Sequence, residues 1–422
     1  MTFEGHSLVS TPEADSRQYD RYRTSSYRSN QMHARSSPSA IVIGSGIVGA
    51  ATAYFLAKKG VRVTLIDSSA PAAEATGAAD GAVSAASKRP GPMMTTALEG
   101  IALYRRLAED GLFAGLFKQR STFIIASSAE ECTVLEAHAA ALSSAGVSVE
   151  DLNSCALRRR FPALSESASL AVEVHAEGHA IGYRIVHRLI GAAGIAVHRN
   201  TRASRLRLAG NGERVEGVET DNGFLAADAV IICAGSGSER LVNVGAGLIP
   251  RKGQLLVTER AVALNASMPG AIMSGRYLLS KRSGTSDAAP PGRGFGLVID
   301  PLETGQFLIG GTREAFGDRK VNDLEAVSRI LSDAVALVPG LARLRLLRAF
   351  AGARTAVSDG LPLIGRLPGI ENGFIATGFE GDGICLGPVT GRTIAELVTG
   401  ERPSIDISPF DPARFGICEV AA

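Results

Sequence analysis

No stretch of this 422-residue chain approaches the ~20 consecutive apolar residues that a membrane-spanning helix requires. The N-terminal region is polar and carries acids, so no secretory signal is expected there. No basic block dominates either. The chain has 44 Lys and Arg against 42 Asp and Glu, a net charge of +2, which argues against a nucleic-acid surface. The five cysteines (Cys132, Cys155, Cys233, Cys385, Cys418) are scattered and include no CxxC pair. That spacing supports no iron–sulfur or zinc site, and no metal is expected; free thiols in a reducing compartment are. The cytoplasm is the expected location. Internal repeats and coiled-coil heptads are lacking.

What is present suits a globular α/β chain. Hydrophobic residues make up 45% and charged residues 20%, and glycine is abundant at 48. The length allows one large or two medium domains with real cores. The most informative stretch is Ala40–Ser69. Ala40–Ile43 is a short apolar run, as a buried parallel strand requires. Gly44-Ser45-Gly46-Ile47-Val48-Gly49 then gives the GxGxxG spacing. Gly44 permits a tight turn, Gly46 a close backbone approach to a pyrophosphate, and Gly49 the packing of the following helix. That helix, Ile47–Lys59, supplies free N–H groups and a partial positive charge at its start. Val61–Ile66 is the next strand, and Asp67 stands 18 residues after Gly49, placed to accept hydrogen bonds from a ribose together with the adjoining Ser68. With strand, turn, helix, strand and acid in register, the stretch predicts dinucleotide binding. It does not say which dinucleotide.

Residues 1–39 lack apolar periodicity and read as a disordered N-terminal extension. Pro71–Met94 is too rich in small residues for a core element. Asp80, Gly81, Ala82, Val83 and Ser84 would let the backbone line a flat ligand, and Lys88 could carry a cation into a site. Helices are expected at Thr96–Leu107, Ala129–Leu142, Ile185–Ala193 and Val321–Val338, and the Arg triplet at 158–160 is expected on a solvated face. From Ile249 to Gly311 the texture becomes that of short strands separated by Gly, Pro and Ser, including Leu255–Thr258, Tyr277–Ser280, Phe295–Ile299 and Gln306–Ile309. A mainly antiparallel sheet, hence a second domain, is expected there. Asp228–Gly235 reads as a buried strand ending in glycine. Gly378–Gly383 is a glycine-bearing loop opening a helix that runs to Val398, a transition that presents N–H groups to an electron-rich atom.

These stretches together, in this order, resemble the FAD-dependent D-amino-acid oxidase/dehydrogenase family over roughly Ala40–Phe415. The resemblance is carried by GSGIVGAATAYFLAKKGVRVTLID at the front and by ARTAVSDGLPLIG with GFEGDGICLGPVTGRTIAELVTG at the back. The SKRPGPMM loop and the EGDGI segment look most like catalytic subunits of hetero-oligomeric amine dehydrogenases, such as opine oxidase, hydroxyproline dehydrogenase and hydrogen cyanide synthase. The resemblance implies an α/β fold, α+β overall: a Rossmann-like FAD-binding domain (40–115, 160–248 and 350–415) with a mainly antiparallel-sheet substrate domain (116–159 and 249–349).

It also implies roles. Gly44, Ser45, Gly46, Ile47, Val48 and Gly49 would hold the FAD pyrophosphate, and Asp67 and Ser68 the adenosine ribose. The family more often has Glu where Asp67 stands. Asp80–Ser84 would run beside the isoalloxazine, Ala203 would contact adenine, and Gly235 would lie by the pyrophosphate. Gly381, Asp382, Gly383 and Ile384 would meet the N1–C2=O edge of the flavin. Arg354 matches the arginine that binds the substrate carboxylate, although the proline that follows it in the family is Thr355 here. A guanidinium forks onto two carboxylate oxygens and so fixes orientation as well as charge. Lys88 is a further candidate for substrate contact or flavin tuning, whereas His175, His179 and His187 are not nominated. Phe350–Val357 has no cysteine, so FAD is expected to be non-covalent, with Cys385 a packed small residue. The implied reaction is oxidation of a Cα–N bond of an amino-acid-like substrate by hydride transfer to flavin N5. Electron-transfer partner subunits, and through them a peripheral place at the inner membrane, are also implied. The alternatives are a stand-alone oxidase using O2, an NAD-dependent dehydrogenase and a non-catalytic FAD-holding subunit.

Overall fold

A computed structural model describes residues 37–243, 245, 247–283, 292–315, 318–416 and 419–420. Most of the expected N-terminal extension, and Cys418, lie outside these residues. Ser39, placed at the end of that extension by the sequence, instead opens the first strand. Its N–H and hydroxyl donate to Asp228 Oδ2 at 2.8 and 2.7 Å.

The β-branched run Ser39–Ile43 is the centre of a six-stranded sheet. The strand order is Leu363–Arg366, Gly373–Thr377, Ala229–Ile232, Ser39–Ile43, Arg62–Ile66 and Val197–His198. All neighbours are parallel except the pair Leu363–Arg366 and Gly373–Thr377. Alternation decides what each face meets. Ala40 and Val42 point into a core shared with the helices Ile47–Lys58, Gly182–Ala193 and Gly383–Val398. Ile41 and Ile43 point the other way, against Leu206, Val215 and Val218 of a three-stranded meander.

The expected antiparallel region is an eight-stranded sheet. Its order is Leu346–Ala356, Ile249–Thr258, Phe307–Glu314, Arg293–Pro301, Ala271–Ser274, Thr122–Ala126, Leu170–Val174 and Val149–Asn153. Only Ala271–Ser274 and Thr122–Ala126 pair in parallel. Here too alternate residues face different cores. Phe123 and Ile125 pack towards the helix Leu324–Leu337, Ile124 and Ala126 towards the helix Ala129–Ser144.

One expectation fails. Tyr277–Ser280 is not a strand but lies within the helix Gly275–Ser283. The strand in that position is Ala271–Ser274, and Tyr277 lies against Gly296, where an added Cβ would fall 2.1 Å from the ring. The apolar pair Tyr277-Leu278 suited either element, because a run this short does not separate helix from strand. The Arg triplet is exposed, as expected, and one member also makes an ion pair with a buried carboxylate. Arg160 donates from one guanidinium nitrogen to both oxygens of Glu173, at 3.0 and 2.9 Å, and Glu173 is buried.

Phe161 closes the sheet face below that arginine, edge-on to Phe123 at 4.6 Å between centroids. Both rings are fully buried. Phe161→Ala is expected to lower the unfolding free energy by about 3–5 kcal/mol in urea denaturation. A loss below about 1 kcal/mol would mean that this core collapses to fill the space.

Candidate active site

The turn after the first strand is forced by its glycines. Gly44 has φ +101°, and a Cβ there would lie 2.5 Å from the Cys233 carbonyl oxygen; a Cβ on Gly49 would lie 1.9 Å from the Gly44 oxygen. The helix Ile47–Lys58 therefore starts tight against the strand, with no side-chain cap and no acid in its first turn. Ile47 N–H donates to Thr76 Oγ1 at 3.1 Å, but among the described residues no acceptor meets the N–H of Gly46 or Val48. Asp67 holds this turn in shape. Its Oδ2 accepts from Ser45 N–H and Oγ at 2.8 and 2.7 Å, and its Oδ1 accepts from Ser69 N–H at 2.8 Å.

These residues form one wall of a cleft of about 1240 Å³, part of it open to solvent. Gly44, Gly46, Ile47, Val48, Asp67, Ser68, Ala203 and Gly235 line it. Ser45, Gly49, Gly81 and Val83 lie behind the walls. Ser45 and Val83 are fully buried, and Gly81 packs against the His179 ring. Two cations that sequence reasoning missed, Arg202 and Arg240, also line the cleft.

A second cleft of about 1530 Å³ adjoins the first, and Ile47, Thr76, Ala353, Glu380 and Gly383 line both. Asp80, Ala82, Ser84 and Lys88 come from the loop, Gly381–Ile384 from the start of the last helix, and Arg354 from the sheet. The loop is pinned by Glu177, a residue with no motif around it. Glu177 Oε1 accepts from Ala85 and Ala86 N–H at 2.6 and 2.7 Å, and Oε2 from Ser84 Oγ at 2.8 Å. Burial pushes this carboxyl up, and its hydrogen bonds only partly offset that.

Lys88 is buried as well. Its Nζ donates to Asp382 Oδ1 at 2.7 Å and to Ser84 O at 2.8 Å. Burial alone would lower its pKa, but the Asp382 carboxylate outweighs burial and holds the ammonium above its ordinary value. The last helix starts at Gly383 without a side-chain cap and contains Pro388. Pro388 cannot donate to Ile384 O, and the Tyr104 hydroxyl fills that place at 2.8 Å. Cys385, its thiol pushed up to about 12 by burial, donates to Ala97 O at 3.6 Å and does not reach the cleft.

The cations of the second cleft are unequally matched. Arg120 pairs with buried Asp300, which also lies 4.0 Å from His179 Nε2. That His179 nitrogen sits 2.9 Å from Asp80 O, so this histidine is satisfied by structure. Arg251 and Arg313 share Glu380. Arg354 donates from Nη1 to Thr312 O at 3.0 Å and lies flat over Gly253, where a Cβ would come within 2.5 Å of it. Among the described residues Arg354 has no carboxylate partner.

The family model for FAD dependent oxidoreductases (DAO) matches residues 39–397. The chain belongs to this family. The oxidoreductase is 28% identical to the glycine oxidase of Pseudomonas aeruginosa over 390 residues, covering 88% of this chain and 98% of that protein. It is also 28% identical to the hydrogen cyanide synthase subunit HcnC of Pseudomonas protegens, covering 90% and 97%. The crystal structure of glycine oxidase from Geobacillus kaustophilus superposes with a TM-score of 0.76 at 26% identity, over 89% of this chain and 98% of that one. The enzyme is a flavoprotein with FAD as cofactor, which sets aside the NAD-dependent alternative. No helix among its described residues is long and apolar enough to cross a membrane.

Glu380 gives the site a pH signature. Burial would raise its carboxyl, but Arg313 and Arg251 hold it below the ordinary 4.5. Its stabilising contribution is therefore complete above pH 4.5 and is lost as pH falls through the lowered value. Glu380→Gln is expected to cost about 1–3 kcal/mol near neutral pH. In chemical denaturation the gap to wild type should close as pH falls below 4.5. A gap independent of pH would mean that the pairing contributes nothing.

Proposed function

We propose that this flavoenzyme oxidises the Cα–N bond of an amino acid or N-substituted amino acid, with FAD spanning the two adjoining clefts. The observation that carries the reading is the Arg354 guanidinium, which lines the second cleft without a carboxylate partner of its own. The clefts fit the cofactor at both ends. One uncapped helix start, with Gly44, Gly46, Ile47 and Val48, suits a pyrophosphate, and the other, with Gly381, Gly383 and Ile384, suits the flavin N1–C2=O edge. Asp67 and Ser68 would take the ribose, Ala203 the adenine edge, Gly235 the pyrophosphate side, and Asp80, Ala82 and Ser84 the isoalloxazine face. Binding would be non-covalent, since Phe350–Val357 has no cysteine and Cys385 packs away from the cleft. The six-stranded sheet and its helices would hold the cofactor, and the eight-stranded sheet would present the substrate.

Bound FAD supplies the hydride acceptor, at N5. The chain's own residues orient. Arg354 forks onto the substrate carboxylate, so that the amine enters with Cα–H directed into the junction of the clefts. No side chain is assigned as a base; a neutral amine leaves an imine that water hydrolyses. The similarity to an HcnC subunit supports a place as the catalytic subunit of a cytoplasmic hetero-oligomer that passes electrons to partner subunits, peripheral at the inner membrane. The equal similarity to glycine oxidase favours a second reading, a stand-alone oxidase using O2.

Arg354→Ala should keep its full FAD content and lose about two to three orders of magnitude in kcat/KM for amino-acid substrates, measured by anaerobic flavin bleaching. Arg354→Lys should recover only part, because an ammonium cannot form the fork. Unchanged turnover in Arg354→Ala would overturn the assignment.

A further inference from the structure

Asp382 occupies the N-cap position of the helix Gly383–Val398, yet its side chain makes no capping hydrogen bond. Aspartate is among the strongest N-caps: a carboxylate at this position ordinarily bends back onto the N–H groups of the first turn. The local backbone does not forbid it by lack of donors. Among the described residues no acceptor meets the N–H of Gly383, Ile384 or Cys385. The Asp382 backbone, at φ −97° and ψ 1°, is not extended as it is at the capping residues Ser128, Asn153 and Asp323, and its carboxylate is held laterally as well. Lys88 Nζ, itself buried, donates to Asp382 Oδ1 at 2.7 Å and draws the carboxylate to the loop side of the cleft.

Lys88 is held for this task from behind. Its second bond runs to Ser84 O, and Ser84 is fixed by Glu177 through the 2.8 Å hydroxyl bond. Glu177 also accepts the N–H groups of Ala85 and Ala86, so the whole turn carrying Lys88 is anchored to one buried carboxylate. The far end is fixed as well. The helix start is locked by the Tyr104 hydroxyl on Ile384 O and by close backbone packing of Gly391 on Ala51 and Thr52. The Lys88–Asp382 pair therefore connects two rigid elements, and the pair as a whole is charge-neutral. Its effect is directional: it removes a negative charge from the helix start and leaves the amides there open.

Resting on the placement of the flavin N1–C2=O edge at these amides, we infer that Lys88 is a positioning residue that keeps the last helix uncapped for FAD. Without Lys88, Asp382 is released to rotate about ψ into the extended N-cap conformation, and its carboxylate then occupies the Gly383–Cys385 amides. The cofactor then loses its donors and meets a like charge at the edge that becomes electron-rich on reduction.

The test uses the full chain, stripped of flavin and reconstituted with FAD. Lys88→Met is expected to weaken FAD binding at least tenfold and to shift the flavin midpoint potential to a more negative value. Thermal unfolding of the apoprotein should be unchanged or slightly raised, because the helix gains a cap. The double variant Lys88→Met/Asp382→Ala is expected to regain FAD affinity to within threefold of wild type, and Lys88→Arg to retain it. If Lys88→Met binds FAD as wild type does, or if the double variant is as weak as Lys88→Met, the pair is only a structural bridge and the inference is wrong. If the wild-type chain itself takes up no FAD, the placement of the cofactor fails instead, and that result is read before any variant is made.

Discussion

The crossing of the first and last helices is the constraint on which the rest of the structure depends. Gly387 packs on Ile47 and Gly391 on the Ala51 and Thr52 backbone, at distances that no side chain with a Cβ would allow. The two helices come from opposite ends of the chain, Ile47–Lys58 and Gly383–Val398. Their close approach brings both N-termini to one continuous opening, and Ile47 and Gly383 each line both clefts. Two sets of unsatisfied amides then open onto the adjoining clefts in which FAD is proposed to lie.

Around that opening, charge is arranged so that the donors stay free. Asp67 is tied to Ser45 and Ser69, Asp382 pairs with Lys88, and Glu380 with Arg251 and Arg313. Asp300 is matched by Arg120. In the second cleft, the cation left without a carboxylate among the described residues is Arg354, on the wall formed by the eight-stranded sheet. A cleft in which most acids are already paired and one guanidinium is not will select an anion at one defined point. The glycines along that wall make room for side chains: Gly253 for the Arg354 guanidinium, Gly296 for the Tyr277 ring and Gly310 for Leu255.

Much of the cofactor end was legible in the sequence, because its signals are local. GxGxxG, the helix behind it and Asp67 fall within one βαβ unit, and the structure builds them as one. The Gly378–Gly383 loop was legible as a helix start offering N–H groups, but the flavin edge proposed for it, and the role of Arg354, came only through likeness to a family. Glu177 could not have been found. Its partners Ser84, Ala85 and Ala86 lie 91–93 residues away, and an isolated Glu in a polar stretch has no pattern. The same holds for Asp300 and Arg120, 180 residues apart. The Arg triplet is solvated as it reads, but the buried Glu173 that accepts from Arg160, 13 residues on, has no local signal. Tyr277–Ser280 misled because a few apolar residues carry no period.

Amide hydrogen exchange of the apoprotein with and without added FAD is the most direct test of this arrangement. The account predicts that FAD slows exchange at Gly46–Gly49 and at Gly381–Cys385 together, with the same dependence on FAD concentration. Protection confined to the first segment, with the start of the last helix unaffected, would contradict it.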